Sequence, residues 1–213
     1  MNVGLPVSPA PPNRRSPSQV AVLMLCSFGL YVFVWAYQVR RWCSVVLERE
    51  NEHVMWKTVA LIVPIFNLFM LFELGKRIEG VRWRAGLRAD ARPAFMGLST
   101  FGFAILARIS PPFDFAALLN IVPIGMMQAD FMEAQVALQG AEAAVQRLHP
   151  AEWLVIVAGA ALWSLTFVQW ATPLPDGSYR PGSWFVWVVL AAIAATFAGL
   201  RRAESRLTIA GSG

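Results

Sequence analysis

The stretch VAVLMLCSFGLYVFVWAYQV, residues 20–39, runs for twenty positions without a charged side chain. An α-helix rises ~1.5 Å per residue, so twenty residues reach across about 30 Å of hydrocarbon. Taken alone, the stretch predicts one membrane-spanning helix from Val20 to Val39. The rest of the chain points the same way: 57% of its 213 residues are hydrophobic and 15% are charged. Soluble domains carry roughly 25% charged residues, and a soluble fold this apolar lacks the polar surface to face water. The class expected is therefore all-α, a multi-pass helical integral membrane protein with about six apolar segments.

The five later apolar runs are 58–72, 93–107, 115–129, 153–172 and 183–200. Pro64 interrupts the second run and Pro123 the fourth. The first, fifth and sixth are long enough to span. The second, third and fourth each offer about 22 Å of uncharged helix, and they span only if Lys57, Glu73, Arg92 and Arg108 reach back to the headgroups. Otherwise one or more of them is re-entrant, shielded by neighbouring helices. Before the first run, residues 1–19 hold five prolines and no apolar face, which predicts a disordered tail. The membrane domain then covers 20–149, and 150–213 forms a C-terminal helical hairpin with a short basic tail.

Net charge is +5, from 18 Lys and Arg against 13 Asp and Glu. The cations lie between apolar runs, as topology signals do, and not on a basic soluble face that would bind nucleic acid. With six spans, the side holding both termini carries 12 cations and the other 6, which places both termini on the cytoplasmic side of the cell (plasma) membrane. If the second run dips in and returns, the counts become 14 and 4, with the N-terminus outside and the C-terminus still cytoplasmic. Both arrangements remain open from sequence. The densest cluster, Lys76, Arg77, Arg82, Arg84 and Arg88, is expected to lie on anionic lipid headgroups.

Ile62-Val63-Pro64-Ile65 recurs as Ile121-Val122-Pro123-Ile124, and each copy follows a Phe-Gly step, Phe28-Gly29 or Phe101-Gly102. This echo raises an internal duplication of a helix pair, the setting in which transporters build sites from interrupted helices. The stretch Ser27-Phe28-Gly29-Leu30-Tyr31, followed by Trp35, Tyr37, Arg40 and Trp42, resembles the bacterial membrane family known as domain of unknown function 4234. In that family a Thr usually stands where this chain has Ser27. Val122-Pro123-Ile124 with Gln128 resembles the family's second part, so the likeness covers residues 18–140. It implies an integral membrane protein of uncharacterised activity and carries no catalytic residues over.

Tyr31, Trp35 and Tyr37 ring the end of the first span, and Trp153 and Trp170 bracket the fifth, so all five are expected as interfacial anchors. Glu73 adjoins an apolar run, and Lys76 and Arg77 are its expected partners on the same helix face. Asn67, Asn120 and Gln128 are polar groups within apolar runs, candidates for solute contact or for hydrogen bonds between helices. Ala191, Ala195 and Gly199 form a small-residue stripe suited to close helix packing with another helix or a second copy of the chain. Glu48, Glu52 and His53 read as a solvated helix face and not a metal site. Cys26 and Cys43 suggest no disulfide framework, and no nucleophile stands beside a base. The expectation is a non-enzymatic structural or interaction component without cofactor or metal, whose partner is the lipid bilayer. The alternative is a transporter or channel for small solutes or ions, using the proline-broken helices.

Overall fold

The computed structural model describes residues 15–48, 53–88, 91–106, 119–139, 148 and 150–171. All regular structure among them is helical: α1 (Pro17–Cys26), α2 (Tyr31–Val46), α3 (Val54–Val59) with a 3-10 turn over Ala60–Ile62, α4 (Pro64–Arg84), α5 (Arg92–Leu106), α6 (Ile121–Gln139) and α7 (Pro150–Ala171). Among the described residues no helix is long and apolar enough to cross a membrane. The sixth apolar run, with Ala191, Ala195 and Gly199, lies outside the described residues.

The twenty-residue stretch that suggested a single span is two helices. Phe28 and Gly29 both take left-handed backbone angles, φ 53° and 83°. The amide of Phe28 donates to Leu25 O at 3.2 Å and that of Gly29 to Met24 O at 2.7 Å, the paired bonds that close a helix C-terminus. The Ser27 hydroxyl then accepts from the Tyr31 amide at 2.9 Å and starts α2. Hydropathy overlooked this corner because Ser27, Phe28 and Gly29 are uncharged.

Residues 15–19, expected from their sequence to belong to a disordered tail, are part of the fold, and residues 1–14 lie outside the described residues. Ser16 and Gln19 form a capping box, each side chain bonded to the other's backbone amide, and Pro17 occupies the first helical turn. That position needs no amide donor, so proline is tolerated there. The same logic separates the two echoed prolines. Val63 is extended, as the residue before a proline prefers, and Pro64 opens α4 after a real break. Pro123 lies in the first turn of α6 and breaks nothing. Gly102 sits inside α5, whereas Gly29 makes a corner. The sequence echo is therefore not an echo of backbone structure at its Phe-Gly steps.

The core gathers Val20 and Met24 of α1, Trp35 and Val39 of α2, Leu74 and Ile78 of α4, and Met127 of α6. Trp42 meets Phe131 edge to face, with ring centres 5.1 Å apart. The most extensive helix contact joins α4 to α5, and glycines make it possible. A Cβ on Gly75 would stand 2.6 Å from Ala94 Cα, and one on Gly97 2.7 Å from the Leu71 carbonyl carbon. The two helices thus run antiparallel, with Leu71 level with Gly97 and Gly75 level with Pro93. A third close approach seats Gly159 of α7 against the backbone of Ser27. There the Trp163 indole donates to Leu25 O at 2.7 Å, a second donor beside the Phe28 amide at the end of α1.

Substituting Gly97→Leu forces backbone apart and is expected to destabilise by about 3 kcal/mol. Gly102 has open space around it, so Gly102→Ala is expected to gain up to ~1 kcal/mol of helix propensity. Thermal unfolding of both variants should move Tm in opposite directions.

Candidate functional site: three acids and their cations

Three acids organise the polar interior. Glu152, in the first turn of α7, is fully buried. Its Oε2 accepts from Arg15 Nη2 at 2.7 Å, and its Oε1 accepts from the Tyr31 hydroxyl at 2.9 Å. The helix N-terminus favours an anion at that position. Beside it Trp35 Nε1 donates to Gln128 Oε1 at 2.7 Å, and Gln128 Nε2 donates to Arg15 O at 2.7 Å. This web ties α2, α6 and α7 to the residues just before α1.

Glu73 of α4 gathers the second cluster. It accepts from Arg40 at 3.0 Å, from Lys57 at 2.9 Å and from Arg77 at 2.6 Å. Arg40 is almost wholly buried and also donates to Met70 O at 3.0 Å. Burial by itself would raise the Glu73 carboxyl, but the hydrogen bonds from Lys57, Arg40 and Arg77 outweigh it and lower the pKa from 4.5 to about 2. Asp130 of α6 centres the third cluster. It is 1% exposed, accepts from Arg82 at 3.1 Å and also meets Arg92, while Glu133 takes Arg82 as well.

Set against the expectations from sequence, these clusters bring several candidates together and redirect others. Tyr31 and Trp35 are not interfacial anchors: both are buried, their polar tips satisfied by Glu152 and Gln128 instead of by water. Tyr37 and Trp153 do stand on the surface, and the side chain of Trp170 lies outside the described residues. Gln128 is a helix-packing group with both ends of its amide occupied. Asn120 lies half-buried ahead of α6 with its Oδ1 unpartnered, and the Asn67 side chain lies outside the described residues.

The basic cluster divides. Arg77 and Arg82 turn inward to carboxylates, because charge inside a helix bundle needs a partner. Lys76, Arg84 and Arg88 stay exposed; Lys76 faces Glu79 at 3.7 Å, and Arg84 meets Glu48 and Val46 O. Glu48 is thus committed to Arg84, and among the described residues no group of His, Cys, Asp and Glu stands ready to hold a metal ion.

Sequence reasoning singled out Glu73 but passed over Asp130 and Glu152. A common signal was present: each acid stands one residue outside an apolar run, after Phe72, after Ala129 and before Trp153. Arg15, assigned to the tail, was missed because its partner lies 137 positions away. Chemically the clusters neutralise and fix charge. Every carboxylate in them is held by guanidinium, ammonium or phenol donors, which is the chemistry of a clamp.

Replacing Asp130→Asn removes the buried countercharge that Arg82 and Arg92 share, leaving Arg82 only the half-exposed Glu133, and is expected to cost about 3 kcal/mol. Glu133→Gln, at a half-exposed acid, is expected to cost less than about 1 kcal/mol. Chemical denaturation of the two variants would rank them. For Glu73, a pKa lowered from 4.5 to about 2 makes its stabilisation complete above pH 4.5 and lost as the pH falls through 2. The Tm gap between the parent protein and Glu73→Gln should accordingly narrow across that interval.

Compared with known proteins, the chain matches no family model, no curated protein and no solved structure.

Proposed function

We propose that the chain is an integral protein of a bacterial plasma membrane that acts as a structural or interaction component and has no catalytic role. The observation that carries this reading is the inversion of its surface. Met55, Trp56, Ile62, Phe66 and Phe69 stand exposed around α3 and the start of α4, Phe95 and Leu98 on α5, and Leu154, Val157 and Leu165 along α7. Arg40, Arg77, Asp130 and Glu152 are meanwhile buried and paired. Apolar patches of this extent mark a membrane or partner surface, and lipid asks no hydrogen bonds of them. The likeness of residues 27–42 to a bacterial membrane family supports the same assignment.

Two of the polar groups that a solute path would use are engaged elsewhere. Gln128 bonds Trp35 and Arg15, and Glu73 is held by three cations. This favours a scaffold over a transporter. The test is twofold. Expressed in a bacterium, the protein should sediment with membranes and stay there through high salt and alkaline carbonate. Reconstituted into liposomes, it should pass ions and small solutes no faster than empty vesicles. Release by carbonate would end the membrane reading; flux that falls on Gln128→Ala would replace the scaffold with a transporter.

A further inference from the structure

Lys57 and Glu73 bracket the second apolar run, and their side chains meet at 2.9 Å. Were residues 58–72 a transmembrane helix, the two charges would stand about 22 Å apart on opposite faces of the bilayer. Instead the chain leaves through α3 and the 3-10 turn, reverses at Val63–Pro64, and comes back down α4 to the level from which it started. Arg40, just past the end of the first apolar run, reaches the same carboxylate at 3.0 Å. Three places that bound apolar runs therefore share one point.

We propose, on the membrane reading above, that residues 58–72 form a re-entrant loop that enters one leaflet and returns, so that residues 40–57 and 73–88 lie on the same side. Dimensions agree with this. From Pro64 to Glu73 the helix rises about 14 Å, roughly half of a 30 Å hydrocarbon core. Chemistry agrees as well. The loop presents Val59, Ile62, Val63, Phe66 and Phe69 outward, while the returning α4 turns charged at Glu73. The returning helix does not stand alone: α5 packs antiparallel against it through Gly75 and Gly97. The occupant of the exposed face is a lipid leaflet with anionic headgroups, because Arg41, Lys76 and Arg88 stand exposed at and beyond the base of the loop.

The test uses the full chain in sealed proteoliposomes of phosphatidylethanolamine and phosphatidylglycerol, with Cys26→Ser and Cys43→Ser removing the native thiols. Single cysteines are introduced at exposed positions: Val45→Cys, Ile62→Cys and Arg88→Cys. A membrane-impermeant maleimide is applied outside, or trapped inside. The expected result is that Val45→Cys and Arg88→Cys label from one and the same side, and that labelling of Ile62→Cys is lost from both. If Val45→Cys and Arg88→Cys label from opposite sides, the run crosses and the re-entrant loop is wrong, while the membrane reading stands. If Ile62→Cys labels freely and the protein does not float with the vesicles, both readings fall together.

Discussion

A carboxylate removed from water has to be met by donors, and this requirement shapes the polypeptide more than any stretch of hydrophobic sequence does. Glu152, Asp130 and Glu73 each collect cations or a phenol from helices distant in sequence. An ion buried without partners costs several kcal/mol, so the helices contributing the donors are fixed relative to the helix carrying the acid. α2 is tied to α4 by Arg40, α4 to α6 by Arg82, and α7 to the chain before α1 by Arg15. The apolar core fills the space between these ties.

That division of labour suits a protein with an apolar exterior. In water, burial of hydrophobic side chains would hold helices together. Against lipid that drive is weak, and close backbone contact together with polar bonds takes its place. Both devices are present: glycines at 75, 97 and 159 let helices approach closely, and the three acid clusters supply the bonds.

Much of the fold was legible in the sequence, and what was not has a physical cause. Helical class followed from long uncharged runs, and α5 and α7 fall close to two of those runs. The corner at Ser27–Leu30 escaped because hydropathy registers charge and not backbone angle; its sign was the glycine within Ser27-Phe28-Gly29. For Glu73, helical spacing named two partners, and the structure keeps Arg77 but turns Lys76 to Glu79. Arg40 and Lys57 outcompete the local neighbour, and long-range partners have no signature in spacing. Tyr31 and Trp35 were misplaced for a related reason. Tyrosine and tryptophan seek a polar contact for one end of an apolar ring, and a buried carboxylate or amide serves as well as an interface.

The seam between α7 and the corner of the first two helices bears on the order of events as the chain is made. Trp163 closes on Leu25 across 138 positions, Glu152 on Arg15 across 137 and on Tyr31 across 121. Synthesis runs from the N-terminus, so α1 and α2 are complete long before α7 exists. Until it emerges, the Tyr31 hydroxyl, the Arg15 guanidinium and Leu25 O lack the partners that α7 supplies. Contacts so distant carry a large loop-closure cost and form late. The N-terminal helices thus wait, unfinished, for a segment made 121 or more positions later, and among the described helices the last closure belongs to α7.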